Sequence, residues 1–129
     1  IIANLLVPDL ADAIRASNAF KVYICNVASE RGETDGYSCD DHVRTIEKHA
    51  GSHLFDLVIS NHRYEGDLPQ GVSWVKVNEE ESHYPIYQAD LLDVENPWRH
   101  DSIKVAKTIM DLYFERTGPL SLKEDSSTL

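Results

Sequence analysis

The sequence predicts an α/β fold, a Rossmann-like parallel three-layer sandwich in which helices cover both faces of the sheet. Two observations lead to this class. The runs 19–27 and 55–61 are almost continuously apolar, which is typical of strands covered on both faces. Helical patterns at 2–17, 40–51 and 101–116 alternate with these runs, and such alternation favours parallel strands joined by helical crossovers.

The first predicted helix covers residues 2–17. Leu10, Ala13 and Ile14 recur at helical spacing, and Pro8 suits the first turn of a helix. A proline inside a helix removes a hydrogen bond and clashes with the preceding turn. Residues 5–8 are therefore alternatively a separate short turn.

A polar loop and a second helix follow the first strand. Residues 28–39 contain two glycines among mostly polar side chains, which predicts a loop. We expect Asp40 or Asp41 to cap the next helix, because a carboxylate accepts hydrogen bonds from the first helical amides. We expect Gly51 to end that helix.

The second half of the chain predicts two more strands and one more helix. Val72–Val77 alternates between apolar and polar residues, and Pro85–Leu92 is a further strand candidate. The helix over 101–116 carries an apolar face. Its members are Ile103, Ala106, Ile109, Met110 and Tyr113.

The predicted sheet is incomplete. Only two convincing central strands are present, so the sheet would leave long edges unpaired. The chain also opens within an apolar stretch, whereas the first residues of a native chain are usually polar and frayed. We therefore expect residues 1–118 to be the C-terminal portion of one Rossmann-like domain whose N-terminal part is missing. Residues 119–129 are expected to be a polar tail.

The composition excludes several function classes. The 129 residues carry a formal net charge of −10, so nucleic acids and anionic membranes would be repelled. No apolar run approaches the ~20 residues that span a membrane, and no secretion signal is visible. Cys25 and Cys39 show neither metal-ligand nor disulfide spacing, which predicts reduced thiols and a cytoplasmic location. The six histidines form no metal-ligand motif, so no metal site is expected.

Candidate binding residues lie where the two strands end. Asn26 ends the first strand and Asn61 ends the second, and ligands of open α/β sheets bind outside these carboxyl ends. An equally good interpretation is that each asparagine only caps its strand end. The loop after Asn26 adds flexible backbone, a hydroxyl and two carboxylates suited to sugar hydroxyls. These features belong to Gly32, Glu33, Thr34 and Asp35. The alternative is that this segment is only a polar crossover loop.

A second candidate site precedes the last helix. Arg99 and His100 stand directly before the expected cap at Asp101 or Ser102, and a guanidinium beside a helix N-terminus is a plausible anion site. The alternative is structural: Asp101 caps the helix, Arg99 is solvated and Trp98 fills the core.

Several of these segments together resemble the YvcK/CofD-like family, most closely its YvcK branch, the gluconeogenesis factors. The match covers residues 1 to about 61 and is specific because four segments occur there in order at the expected spacing. The four segments are Ile2–Pro8, Val22–Val27, Gly32–Tyr37 and Asp41–Val43, and the match resumes at Arg99–Asp101.

The resemblance implies a Rossmann-like core and one of two functions. YvcK-like members bind UDP-sugars and act in bacterial carbon-source and cell-shape control, without an established reaction or cofactor. CofD-like members are 2-phospho-L-lactate transferases that act on a deazaflavin. By resemblance, Arg99 would face the nucleotide phosphates or the sugar. The ligand cleft would be lined by Asn26, Gly32, Glu33, Thr34 and Asp35.

Two further expectations follow from the resemblance, and one further hypothesis is independent of it. The family's glycine-rich phosphate loops precede the matched region, so the chain alone is expected to bind nucleotide poorly. Ser29-Glu30-Arg31 replaces a Thr-Gln-Pro-like stretch of the family, which leaves the ligand's identity open. A third hypothesis is a purely structural domain that forms a homo-oligomer. Its interface would use Tyr84, Tyr87 and Trp98.

Overall fold

The computed structural model describes residues 2–34, 36–78 and 83–116 and shows the predicted three layers. One parallel sheet lies between a layer of three helices and a layer formed by the last helix. The elements in chain order are α1 (Ile2–Leu5), α2 (Pro8–Ala16), β1 (Val22–Ile24), α3 (Cys39–Ala50), β2 (Leu57–Asn61), β3 (Ile86–Ala89) and α4 (Ser102–Arg116).

The first predicted helix is two helices, as the alternative interpretation held. Leu6 and Val7 separate α1 from α2, and Pro8 occupies the first turn of α2. The missing N–H of a proline costs nothing at that position, because the first helical amides have no partner within the helix. Leu5 and Ala11 direct both helices onto the same buried cluster as α3.

The start of α3 differs from the prediction. Ser38 is the N-cap, and its side chain accepts a hydrogen bond from the amide of Asp41 at 3.1 Å. The Asp41 carboxylate accepts in return from the Ser38 amide at 2.9 Å. The expected caps Asp40 and Asp41 are therefore the second and third helical residues, because this reciprocal capping box satisfies two amides at once. Gly51 ends the helix as predicted, at φ 85°.

The three strands are parallel in the order β1-β2-β3. Every residue of β2 is buried, so the prediction of a central strand at 55–61 is confirmed. The run 19–27 contains a shorter strand than predicted, and it lies at the edge of the sheet. Its ladder is extended at both ends, because Lys21 O accepts from the Leu57 amide and the Cys25 amide donates to Ile59 O.

The prediction of a strand at Val72–Val77 is wrong. Only one antiparallel pair, Ala28 with Trp74, forms there. Two backbone hydrogen bonds hold it, from the Ser29 amide to Ser73 O and from the Val75 amide to Val27 O. The segment fastens the loop after β1 and does not lengthen the parallel sheet. The strand predicted at 85–92 is confirmed in its central part as β3.

The predicted apolar face of α4 does not pack into the core. Ile103 is 79% exposed, and Ala106, Ile109, Met110 and Tyr113 are also exposed. The buried contact of α4 is made by Leu112 instead. Helical spacing identifies which side chains share a face, but it does not show whether that face is covered.

The remaining expectations concern Asp35 and the C-terminal tail, membrane-spanning helices, and metal sites. Asp35 and the predicted tail 119–129 lie outside the described residues. None of the helices in the described ranges is long and apolar enough to cross a membrane. Within the same ranges, no group of three or more histidine, cysteine or acidic side chains is arranged to hold a metal ion.

Candidate functional site

Asn26 lies directly beyond the ladder of β1 and borders two adjoining clefts. The first, about 550 Å³, runs along β1 and under the loop that follows it. The second, about 340 Å³, lies between that loop and the turn before α4. Glu30 lines both clefts as well. Their volumes fall in the range of small-molecule sites, and their position is the carboxyl end of the sheet.

The loop that forms the roof of the first cleft is built on a local turn. The Thr34 amide donates to Glu30 O at 2.9 Å, and the Glu30 amide donates to Thr34 Oγ1 at 2.6 Å. Gly32 sits between them at φ 81°, a conformation that favours glycine. The turn brings Glu30, Glu33 and Thr34 to the same cleft wall.

The two carboxyl groups of this wall interact with each other. A hydrogen bond with Glu30, together with the repulsion between the two negative charges, raises the pKa of Glu33 above its ordinary range. Carboxylates so placed are acceptors for neighbouring hydroxyl groups, such as those of a sugar. Gly32 itself does not line either cleft.

His42 is a candidate that the sequence reasoning did not select. It lies on α3, lines the first cleft and is only 6% exposed, with its ring 5.4 Å from that of Tyr37. Its Nε2 atom is buried without a hydrogen-bond partner among the described residues. Burial lowers the pKa of His42, although the Asp41 carboxylate opposes this. The sequence feature that could have identified His42 is its position in the first turn of a helix that starts directly after the polar loop.

The second cleft contains Arg99 and His100. The Nε atom of Arg99 donates to the Asp93 carboxylate at 3.2 Å, and 63% of the Arg99 side chain remains exposed. His100 Nε2 lies 2.8 Å from the Cys25 carbonyl oxygen, so this ring ties the turn before α4 to the end of β1. Arg99 and Asn26 therefore border one cleft, although 73 positions separate them along the chain (99 − 26).

The N-terminus of α4 is already occupied by a carboxylate. Asp101 Oδ1 accepts from the amides of Ile103 and Lys104 at 2.9 and 3.1 Å. The capping alternative is thus correct for Asp101, and it removes two of the amides that an anion would use. Trp98 is 47% exposed and lines the second cleft, so it does not fill the core. Arg99 is left as the cationic group of this cleft wall.

Asn61 has a place different from that of Asn26. It is fully buried, and its Nδ2 donates to Arg63 O at 2.6 Å. Its Oδ1 accepts from the amides of Arg63 and Leu91. The structure uses this side chain to join the end of β2 to the segment after β3, and Asn61 lines neither cleft.

The residues that depart from the family pattern have separate roles. Ser29 is buried, and its Oγ accepts from the Ser73 amide at 3.0 Å. Arg31 packs its guanidinium against Gly71, where an added Cβ would come within 3.0 Å of Nε. Glu30 is the member of this stretch that faces both clefts.

The family model described as 2-phospho-L-lactate transferase CofD matches residues 1–113 of the chain, which is most of its length. The chain belongs to the CofD family. The family resemblance found from the four ordered segments is therefore confirmed. The relatives with individual names place it in more detail.

Several similar proteins are named gluconeogenesis factors, among them two from Listeria. The Listeria monocytogenes protein is 36% identical over 125 residues, which make up 92% of this chain and 39% of that protein. The Listeria innocua protein is 37% identical over 117 residues, covering 85% of this chain and 36% of that protein. The chain is thus similar to gluconeogenesis factors over most of its own length.

A solved structure agrees with the fold. The crystal structure of a UPF0052-family protein from Bacillus halodurans matches with a TM-score of 0.77 at 31% identity. The match covers 85% of this chain and 39% of that one. This CofD-family chain therefore spans well under half the length of the relatives it matches.

Proposed function

We propose that the chain contributes one wall of a nucleotide-sugar site in a cytoplasmic, YvcK-like gluconeogenesis factor. In this proposal the protein binds a UDP-sugar and regulates carbon metabolism and cell shape. The observation that carries the proposal is the pair of adjoining clefts at the carboxyl end of β1, which share Asn26 and Glu30.

The two clefts differ in chemistry: the first offers hydrogen-bond acceptors, which suit a sugar, and the second offers a cation, which suits phosphates. Glu30, Glu33 and Thr34 supply acceptors for sugar hydroxyls in the first cleft. Arg99 supplies a cation for the phosphates in the second cleft. Asn26 lies between them, where its amide is able to donate to one part of the ligand and accept from another.

In this proposal Arg99 exchanges the Asp93 carboxylate for a phosphate of the ligand. In the structure its Nε atom is paired with the Asp93 carboxylate, and the pair is largely exposed. Exposed ion pairs contribute little to stability, about 0–1 kcal/mol, so the guanidinium is cheaply released to a phosphate. Since Asp101 takes two amides of α4, Arg99 carries most of the attraction for an anion in this cleft.

The test uses a full-length protein because the chain holds only part of the site. The chain replaces the matching 125-residue segment of the Listeria monocytogenes gluconeogenesis factor, which gives a full-length chimera. Calorimetric titration with UDP-glucose, UDP and glucose then measures binding. We expect Asn26→Ala and Arg99→Ala each to weaken UDP-glucose binding by about tenfold or more, the loss of one charge-assisted hydrogen bond.

Matched controls separate the site from general damage. Arg44 is half-exposed, is paired with Asp41 and lines neither cleft, so Arg44→Ala should leave binding unchanged. Glu33→Gln should weaken UDP-glucose more than UDP, while Glu65→Gln should weaken neither. Two results would contradict the proposal. The first is a chimera that does not bind UDP-glucose, and the second is binding of UDP-glucose by the Asn26→Ala and Arg99→Ala variants as tight as that of the unsubstituted chimera.

The alternative function is a CofD-type transfer of a phospholactyl group to a deazaflavin. The description of the matching family model favours it. The chimera would be incubated with a deazaflavin acceptor and an activated phospholactate donor, and product would be followed by chromatography. Product formation that depends on Asn26 and Arg99 would replace the regulatory proposal with this one.

A further inference from the structure

The imidazole of His42 carries a polar atom that the described part of the chain leaves unpaired. His42 lines the first cleft, and only 6% of the residue is exposed. Its Nε2 atom is buried and has no hydrogen-bond partner among the described residues. Buried polar groups are almost always paired, so an unpaired one indicates a strained position, a catalytic position or a place where a bound molecule supplies the partner.

Backbone strain does not explain this atom. The His42 amide donates to Ser38 O at 3.2 Å, which is the ordinary hydrogen bond of an α-helix. The capping box of Ser38 and Asp41 closes the same turn. Among the described residues other than glycine, only His53 has a positive φ. A regular helix backbone therefore holds the His42 ring at the cleft wall.

The ring of His42 also contacts the polar loop that forms the roof of the cleft. Its centroid lies 5.4 Å from that of the Tyr37 ring, and the Tyr37 amide donates to Thr34 O at 3.0 Å. The χ2 torsion of histidine is broad and roughly two-fold, so the ring turns about its Cβ–Cγ bond without leaving its place. In a ring that lines the cleft, this rotation brings Nε2 to a ligand.

The charge of the cleft wall selects against an anion. No lysine or arginine is among the described residues that line the first cleft, whereas Glu30 and Glu33 both line it. Their carboxylates repel a phosphate and accept hydrogen bonds from donors on a ligand. The part of a ligand that fits is therefore uncharged and bears several O–H groups, as a hexose ring does.

An O–H group also suits the free nitrogen of His42. Burial lowers the pKa of His42 from its ordinary 6.5, so at pH 7.5 the ring is mostly uncharged. One nitrogen of such a ring donates and the other accepts, and a hydroxyl group pairs with either.

The threonine hydroxyls of the same wall are already engaged within the protein. Thr34 Oγ1 accepts from the Glu30 amide at 2.6 Å. Thr45 Oγ1 donates to Asp41 O at 2.8 Å. His42 differs from both, because no described residue pairs with its Nε2 atom.

We propose that His42 is a specificity-determining residue of the first cleft, where its Nε2 atom hydrogen-bonds one hydroxyl of the hexose of a nucleotide sugar. The inference rests on the proposed function and adds to it the residue that distinguishes one sugar from another. A site that buries a polar group against one substrate hydroxyl rejects an analogue without that hydroxyl, because the buried group then stays unpaired. A nucleotide sugar that lacks this hydroxyl should bind much more weakly.

The first test needs no substitution in the protein. The full-length chimera is titrated calorimetrically at pH 7.5 with UDP-glucose and with its 2-, 3-, 4- and 6-deoxy analogues. We expect at least one analogue to bind about tenfold or more weakly than UDP-glucose, because it leaves a buried group unpaired. Equal affinity of the chimera for all five ligands would overturn the proposal.

Variants of His42 assign the sensitive hydroxyl to this ring. His42→Leu removes both ring nitrogens and should weaken UDP-glucose binding by about tenfold or more, while UDP, which lacks the hexose, binds as before. In His42→Leu, UDP-glucose and the sensitive deoxy analogue should bind alike, because the group that tells them apart is gone. His42→Gln places an amide near the position of Nε2 and should restore UDP-glucose affinity to within about threefold.

The matched control is His49→Leu, because His49 is exposed on the same helix and lines neither cleft. It should change neither affinity. A His42→Leu chimera that binds UDP-glucose unchanged, or that loses UDP and UDP-glucose equally, would overturn the proposal. The deoxy series decides the outcome if His42→Leu does not fold.

The proposed function is tested separately by Asn26→Ala and Arg99→Ala. If those variants lose affinity for UDP-glucose while His42→Leu does not, only the role of His42 is wrong. A chimera that does not bind UDP-glucose overturns both proposals.

Discussion

His42 combines burial, a lowered pKa and a ring nitrogen that has no hydrogen-bond partner among the described residues. Burial of a polar atom that makes no hydrogen bond costs about 1–3 kcal/mol, so the residue reduces the stability of the chain that carries it. Buried polar groups of this kind occur at strained positions, at catalytic positions and where a bound water or ion supplies the partner. His42 is therefore the residue we add to the cleft wall formed by the polar loop.

His42 predicts a dependence of stability on pH. Its folded-state pKa is lowered from the ordinary 6.5, so the unfolded chain takes up the proton first as the pH falls. The free energy of unfolding should be greatest above about pH 6.5 and fall below it. In His42→Leu this part of the decrease should vanish. Urea unfolding at pH 7.5 and pH 5.5 measures it, with the exposed His49→Leu as the control on the same helix.

Asn61 gives the opposite prediction, because its amide serves the fold. Asn61→Leu leaves the Leu91 amide without its buried acceptor and should lower the free energy of unfolding by about 1–3 kcal/mol. Asn26→Ala, which borders the clefts, should cost much less stability. Denaturant unfolding of both variants decides. A stable Asn61 variant that fails to bind ligand would show that Asn61 belongs to the site after all.

At the scale of elements, the sequence predicted correctly the helix ends and strands that are determined by neighbouring residues in the chain. The break before Pro8, the end of α3 at Gly51 and the central strand β2 follow from residue type and run length alone. The cap of α3 was misplaced because three acceptors stand together, and only the reciprocal bonds of Ser38 and Asp41 select between them. A list of residue types does not contain that geometry.

The same limit applies to the candidate site. The sequence identified Asn26, Glu33 and Thr34, which the fold brings to one cleft, and Arg99, which it brings to the neighbouring one. The contribution of α3 was missed because its side chains reach the cleft only through packing on the sheet. The sequence also gave Asn26 and Asn61 equal weight, and burial separates them.

The capping box of α3 gives a prediction at this scale. Ser38→Ala removes the acceptor for the Asp41 amide and should lower the free energy of unfolding by about 1 kcal/mol. Equilibrium urea unfolding measures the change, and the exposed Ser52→Ala is the control at the other end of the helix. An equal effect of both changes would mean that the cap contributes nothing.

At the scale of the whole molecule, both cysteines report on global opening. Cys25 and Cys39 are fully buried, one on each side of the contact between β1 and α3. A hydrogen bond to the Cys39 thiol and burial both raise the pKa of Cys25, which keeps it in the unreactive thiol form. The reactivity of these thiols therefore measures how often the contact opens.

We predict that a thiol reagent modifies both cysteines at least about a hundredfold more slowly in the folded chain than in urea, as an opening free energy near 2.7 kcal/mol requires. The two thiols should react together, because one packing contact protects both. Timed labelling followed by mass spectrometry measures this. Fast labelling of one cysteine alone would show that the strand edge opens locally.

The hydrogen bond between His100 and the Cys25 carbonyl has a consequence for cooperativity. It joins the second cleft, through the turn that carries Arg99, to the end of β1, where Asn26 borders both clefts. A ligand group that orders this turn and a ligand group that orders the end of β1 then stabilise the same contact. Linkage requires that each increase the affinity for the other by one common factor. Occupation of one cleft should therefore raise the affinity of the other.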